Sequence, residues 1–146
     1  MAYEKVIFLD LDGVMITHGS ANFLDEDARE IGFNIKCVNV LNQILEQTDA
    51  EIVITSSLRR VYSLSDFDFM FKINKVIKSP ISVTPHLPSR SRSQEIASFI
   101  LENNVKNFVI FDDMNIVGYD TKYFPVYSHK GLIDEYVPTA VLLLCS

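Results

Sequence analysis

The stretch V-I-F-L-D-L-D-G-V, Val6–Val14, lies almost at the start of the chain and combines a buried strand with two acids. Its first four residues form an apolar run that is typical of a strand buried on both faces. Two acidic residues, Asp10 and Asp12, follow that run, and Gly13 comes directly after them. Two carboxylates at the end of a core strand cost free energy, because a buried charge loses its hydration. The stretch therefore indicates a site with a chemical function rather than a simple turn.

Strands and helices alternate along the rest of the chain. The predicted strands are Lys5–Leu11, Ile52–Thr55, Phe108–Phe111 and a short one at Phe124–Tyr127. The predicted helices are Ile35–Gln47, one capped by Ser65 or Asp66, Ser93–Asn103 behind a Ser91–Gln94 capping box, and Asp134–Leu144. Prolines predict a loop over Ser79–Ser89. Strands that alternate with helices imply βαβ units, so we expect an α/β fold with a mostly parallel central sheet.

Length and composition indicate a globular protein. The 146 residues, of which 48% are hydrophobic, fit a single domain over residues 1–146. No window approaches about eighteen uncharged apolar residues, so no transmembrane helix is expected, and the N-terminus lacks a signal-peptide pattern. Cys37 and Cys145 have no metal-binding or redox spacing and are predicted to be buried free thiols. This cysteine usage favours the reducing cytoplasm.

The charge balance limits the partners that electrostatics alone can attract. The formal net charge is −6, so the chain is not a general nucleic-acid binder. A nucleic-acid substrate would need a local basic patch, for which Arg59-Arg60 and Arg90-Ser91-Arg92 are the candidates. The alternative interpretation is that these arginines are solvated surface residues.

Three of the predicted strands carry polar residues at their ends. Asp10 and Asp12 lie at the end of the first, Thr55-Ser56-Ser57 at the end of the second, and Asp112-Asp113 after the strand at Phe108–Phe111. Because the carboxyl ends of parallel strands meet at one edge of a sheet, we expect all three groups to converge there. The pattern predicts one crevice that holds four carboxylates.

Four carboxylates in one crevice repel each other, and a divalent cation removes that cost. Mg²⁺ prefers a few carboxylate oxygens and bridges to substrate phosphate. The Thr55 hydroxyl and backbone N–H groups near Ser56 are candidates to hold phosphate oxygens, and Arg92 is a candidate to neutralise a transferring phosphoryl group. This combination of groups is that of phosphoryl transfer.

The same residues resemble the motifs of the haloacid dehalogenase (HAD) superfamily. Phe8–Val14 looks like its first motif, D-x-D-G; Ile52–Ser56 looks like its second, a strand ending in Thr or Ser. Val109–Asp113 looks like its fourth, a strand ending in paired acids. The third motif is a Lys or Arg before that last strand, and the candidates are Arg92, Arg90 and, more weakly, Lys78.

Three further segments resemble the small HAD domains of "Swiss Army knife" RNA-repair proteins. They are T-S-S-L-R at 55–59, R-S-Q-E-I at 92–96 and K-G-L-I at 130–133. That group is expected to carry R-G-x-E-I, and Ser93 stands here in place of the Gly. The departure leaves the role of Arg92 intact.

The resemblance implies a Rossmann-like three-layer fold and a role for each site residue. Asp10 would attack phosphorus and form an aspartyl-phosphate, and Asp12 would act as general acid and then general base. Thr55 and the Ser56 amide would bind the phosphoryl group, and Arg92 would neutralise charge. Mg²⁺ would be held by Asp10, Asp112, the Asp12 carbonyl and Asp113, the last either directly or through water. Further substrate contacts are expected at Gly13, Arg59 and Arg90.

The spacing leaves no room for the cap domain that covers the site in larger HAD enzymes. The stretches from Gly13 to Ile35 and from Arg59 to Ser89 are too short to fold as one, so an open site is expected.

Three functions remain. The first is a Mg²⁺-dependent phosphatase for nucleic-acid 3′-phosphate ends or nucleotides. The others are a phosphatase for a small metabolite or phosphoprotein, and a non-catalytic HAD-like binding module. The oligomeric state stays open.

Overall fold

The computed structural model describes residues 3–17 and 29–146, and these form an α/β fold. The strands are β1 (Lys5–Leu9), β2 (Glu51–Ile54), β3 (Ser82–Val83), β4 (Asn107–Asp112) and β5 (Tyr123–Pro125). The helices are α1 (Ile35–Thr48), α2 (Leu64–Ile73), α3 (Arg92–Asn103) and α4 (Val137–Leu144). Two 3₁₀ turns lie at Ser57–Arg60 and Asp134–Tyr136. The five strands form one sheet in the order β3-β2-β1-β4-β5, and every pair is parallel.

Helices cover both faces of this sheet, which gives the expected three layers. Side chains along a strand point alternately to the two faces. Ile7 and Leu9 accordingly pack in a cluster with α1, α2 and α4, whereas Val6 and Phe8 pack in a second cluster with α3. Both faces of β1 are therefore buried, and the predicted Rossmann-like architecture is confirmed.

The register of the sheet places the ends of its three central strands side by side. Leu9, the last residue of β1, pairs with Ile54 on one side and with Phe111 on the other. The residues that come next in each strand, Asp10, Thr55 and Asp112, are consequently neighbours at one edge. This position follows from β1 being the central strand.

The segment after β2 is part of the core. Phe67, Met70 and Phe71 of α2 are buried in the cluster that covers β1, and β3 adds an edge strand to the sheet. The described residues therefore contain no separate cap, as expected. The other segment expected to be too short for a cap runs from Gly13 to Ile35. Its residues 18–28 lie outside the described residues. No described helix has the length and apolar character needed to cross a membrane.

The structure corrects the prediction that Ser79–Ser89 is only a loop. Two of its residues form β3, because the Ile81 and Thr84 N–H groups donate to the Ile52 and Ile54 carbonyls at 2.9 Å each. A strand of two residues has too little side-chain alternation to be recognised among prolines.

Other boundaries also differ from prediction. The N-cap of α2 is Ser63, which forms a capping box with Asp66, and not Ser65 or Asp66. The closing helix is divided into a 3₁₀ turn and α4, since Pro138 lacks an N–H and fits only the first turn of a helix. Ile35, the first residue of α1, is 73% exposed although it is apolar. Cys37 is a buried free thiol as predicted, but Cys145 is exposed.

Candidate active site

Asp10, Thr55 and Asp112 are buried side by side at the carboxyl edge of the sheet. Two backbone hydrogen bonds continue the ladder beyond β1: the Asp10 N–H donates to Phe111 O at 3.1 Å, and the Thr55 N–H donates to Leu9 O at 3.0 Å. The side chains are therefore positioned by sheet backbone rather than by mobile loops. The predicted convergence of the three strand ends is what the structure contains.

Three of the predicted carboxylates form a cluster. Oxygens of Asp10, Asp112 and Asp113 lie within 4.8 Å of one another. Backbone N–H groups hold two of them: Leu11 N donates to Asp10 Oδ1 at 2.9 Å, and Met114 N donates to Asp112 Oδ1 at 2.9 Å. Asp113 is exposed. The cluster is thus anchored on its buried side and accessible on the other.

Arg92 is the third-motif candidate that the structure brings to the carboxylates. Its Nη1 lies 2.9 Å from Asp112 Oδ2 and 3.3 Å from Asp10 Oδ2. The side chain extends from the first residue of α3, whose start is fixed by the predicted capping box of Ser91 and Gln94. Arg90 is exposed just before this helix.

Lys78, the weaker third-motif candidate, lies at the opposite end of the strands, where β2 begins. Its Nζ contacts the side chains of Asp49 and Glu51, and Glu51 is the first residue of β2. The site residues follow the last residue of the same strand. Lys78 is therefore not part of this cluster.

The Thr55 hydroxyl is fully buried, and its Oγ1 has no hydrogen-bond partner among the described residues. A buried polar atom without a partner costs free energy, so such atoms are rare, and a functional role is one of the recognised reasons for them. Ser56 is also buried, and its Oγ accepts a bond from Leu58 N at 3.2 Å. The turn after β2 thus offers an unused hydroxyl beside the carboxylates.

Gly13 and Asp12 belong to a tight turn between β1 and α1. Gly13 has φ +83°, and a Cβ at this position would collide with the Asp113 carboxylate. Its N–H donates to Ile16 O at 2.8 Å, which closes the turn. Asp12 is exposed on this turn, while Leu11 between the two acids is buried as predicted. Only a residue without a side chain allows the turn and Asp113 to approach each other.

The burial of these charges perturbs their ionisation. Burial and, next, the charge of Asp112 raise the pKa of Asp10 to about 8, although Arg92 opposes this. Burial also raises the pKa of Asp112 against the effect of Arg92. Burial alone would lower the pKa of Arg92, but the carboxylates of Asp112 and Asp10 outweigh it and raise that pKa. Perturbations of this kind concentrate at functional sites.

These shifts predict how stability depends on pH when metal is absent. The unfolded chain ionises Asp10 near 3.8, whereas the folded chain keeps that proton up to about pH 8. The unfolded state therefore binds fewer protons in this window, and the free energy of unfolding falls as pH rises. In EDTA, the free energy of unfolding of the wild type is expected to fall between pH 5 and pH 8, and in Asp10→Asn this fall should be smaller by roughly 3 kcal/mol. Urea denaturation at both pH values checks this, and equal pH dependence of the two proteins would contradict it.

The donor set fits a divalent cation. One guanidinium faces three carboxylates, so the cluster retains negative charge when all are ionised, and carboxylate oxygens are ligands that Mg²⁺ accepts. Asp12 does not belong to the carboxylate cluster. Of the four carboxylates expected to lie together, the structure brings three within 4.8 Å of one another, and the proposed contact of Asp12 with a metal is through its backbone carbonyl.

Arg59, predicted to contact substrate, lies instead inside the protein. Its guanidinium is bonded to backbone carbonyls after β2 and β3 and to Glu95, and its side chain is 5% exposed. Sequence reasoning missed the role of Glu95. The available signal was an acid four residues before Phe99, on the face of α3 that also buries Ile96.

Comparison with protein families supports the resemblance seen in the sequence. The model of the family described as "HAD domain in Swiss Army Knife RNA repair proteins" matches residues 6–137. The match covers the strand ends that carry Asp10, Thr55 and Asp112, together with Arg92. A search of curated proteins found no match to the chain.

Proposed function

Because this chain belongs to the family of HAD domains found in Swiss Army Knife RNA repair proteins, we propose that it is a Mg²⁺-dependent phosphatase. Family membership indicates a phosphatase-like hydrolase of the HAD superfamily. One observation carries the finer proposal. The Asp10 carboxylate is buried within reach of two further carboxylates and Arg92, at the same edge as the unpartnered hydroxyl of Thr55.

The residues that would hold Mg²⁺ are Asp10, Asp112, Asp113 and the Asp12 carbonyl. When bound, the cation would offset the charge of the carboxylates and of the transferring phosphoryl group. Arg92 supports the same purpose, since its guanidinium already bridges Asp10 and Asp112. Thr55 Oγ1 and the Ser56 N–H would bind phosphoryl oxygens.

The reaction would proceed in two displacements at phosphorus. An Asp10 carboxylate oxygen attacks the phosphorus while the bond to the leaving oxygen breaks, and Asp12 donates a proton to that oxygen. A water molecule then attacks the aspartyl-phosphate, and Asp12 takes its proton. Cleavage of the phosphorus bond to Asp10 releases inorganic phosphate and restores both carboxyl groups. The exposure of Asp12 suits exchange of protons with leaving group and water.

We propose a nucleic-acid 3′-phosphate end or a nucleotide as the substrate. Arg90 is exposed two residues before Arg92, whose guanidinium contacts Asp10 and Asp112. The Ser128 side chain lies close to Gly13, and its neighbour in the sequence, Tyr127, is 69% exposed. An exposed aromatic ring offers a surface for a base, and an exposed arginine offers a contact for backbone phosphate. A small metabolite or phosphoprotein is the alternative substrate.

The substrate proposal predicts a preference that a rate comparison measures. With Mg²⁺ present, kcat/KM for an oligonucleotide 3′-phosphate is expected to exceed that for sugar phosphates by roughly tenfold or more. Tyr127→Ala should lower the oligonucleotide rate but not the rate with p-nitrophenyl phosphate. Turnover of small phosphates alone would reject the nucleic-acid substrate and leave a phosphatase. Absence of any turnover would favour the non-catalytic binding module. The cytoplasmic location stays a prediction.

A further inference from the structure

Arg59 uses all of its hydrogen-bonding capacity inside the protein. A guanidinium has five N–H donors. Nε donates to Thr84 O at 3.0 Å, Nη1 to Thr55 O at 2.6 Å and to Ser56 O at 2.9 Å. Nη2 donates to Glu95 Oε1 at 2.6 Å and to Pro85 O at 3.4 Å. The cation therefore ties the turn after β2 to the end of β3.

Glu95 extends this connection to the helix that carries Arg92. Its Oε1 accepts a hydrogen bond from Arg59 Nη2, and its Oε2 accepts one from the Leu87 N–H at 2.9 Å. The Glu95 side chain is 7% exposed. Glu95 lies in the first turn of α3, three residues after Arg92. One buried ion pair thus links the Thr55–Ser56 turn to the start of α3.

The bonds to carbonyls also determine where the neighbouring N–H groups point. The described residues contain no cis peptide, and in a trans peptide the C=O and the next N–H point in opposite directions. Because Arg59 holds the carbonyls of Thr55 and Ser56, the N–H groups of Ser56 and Ser57 point away from Arg59. The same turn carries the unpartnered Thr55 hydroxyl.

We propose that Arg59 and Glu95 are positioning residues that hold the Thr55–Ser56 turn and α3 in register, so that N–H groups, hydroxyl and Arg92 converge on one phosphoryl group. This inference rests on the proposed function. It accounts for the last residue of T-S-S-L-R and the acid of R-S-Q-E-I, which the reaction itself does not use. Neither residue contacts the substrate.

The test separates positioning from stability with a paired replacement. Arg59→Met and Glu95→Leu each leave an unpaired buried charge and should lower Tm, whereas the double variant should recover much of that loss. The double variant is nevertheless expected to lose about 10–100-fold in kcat with p-nitrophenyl phosphate, because the Thr55–Ser56 turn and Arg92 are no longer aligned with each other. Leu41→Ala, a cavity in the core beneath α1, is the control that lowers Tm without lowering kcat.

A binding measurement and a third variant test the inference where the rate of the double variant cannot. Calorimetric affinity for inorganic phosphate should fall about tenfold in the double variant, whether or not the wild type turns over substrate. If the double variant does not fold, Arg59→Lys decides, since Lys keeps the charge but has only three donors. A kcat and phosphate affinity within about twofold of wild type, in whichever of these variants folds, would overturn the inference. If the wild-type protein itself turns over no substrate, the proposed function is rejected instead.

Discussion

Asp10→Asn is expected to lower kcat for phosphomonoester hydrolysis by about 10⁴-fold or more, because an amide does not attack phosphorus as a carboxylate does. The substitution keeps the shape of the side chain and the bond from the Leu11 N–H to Oδ1. Protein stability at neutral pH should not fall, since Asn removes the cost of keeping Asp10 protonated in the folded chain at a pH where the unfolded chain ionises it. Steady-state rates with p-nitrophenyl phosphate measure the effect.

The chain offers a matched control at the opposite edge of the sheet. Asp49 is an exposed acid that follows α1 and pairs with Lys78. Asp49→Asn makes the same chemical change, and Asn tolerates the left-handed backbone found there, so kcat should be unchanged. Activity retained in Asp10→Asn within about tenfold of wild type would contradict the assignment of Asp10 as nucleophile.

Removal of divalent cations is expected to have the second largest effect. EDTA should lower the rate by about 10³-fold, because Arg92 alone cannot offset three carboxylates and an incoming phosphoryl group. Mg²⁺ should restore the rate. It should also raise Tm at pH 8, since a ligand that binds only the folded state stabilises it.

Variants of the ligands distinguish a specific site from general ionic effects. Asp113→Asn should weaken the Mg²⁺ dependence of both rate and Tm, whereas Asp49→Asn should leave both unchanged. Full activity in EDTA, or a Tm that Mg²⁺ does not change, would show that the cluster of Asp10, Asp112 and Asp113 does not work through a metal.

The central strands and their polar ends could be predicted because local patterns encode them. β1 and β4 are buried on both faces, so they are apolar runs, and the acids after Leu9 and Phe111 interrupt those runs visibly. Parallel pairing then brings the acids to one edge without any further information. The start of α3 was similarly visible from the Ser91–Gln94 capping box.

Features that depend on distant contacts could not be predicted in this way. β3 has only two residues, and its backbone bonds to β2 define it. Arg59 looked like a substrate-binding cation because its partners are mostly carbonyls, which the sequence does not identify. Glu95, 36 residues away, is its one acidic partner among the described contacts, and nothing local pairs these two residues.

The proposed mechanism requires Asp10 to form a covalent bond to the transferred phosphoryl group. Acid quenching of wild-type protein during turnover of a labelled phosphomonoester, followed by digestion and mass spectrometry, detects such a bond. A phosphoryl group is expected on the peptide that carries Val6–Val14, located at Asp10, and none in Asp10→Asn. Steady product formation with the protein unlabelled, or with the label on another residue, would contradict it.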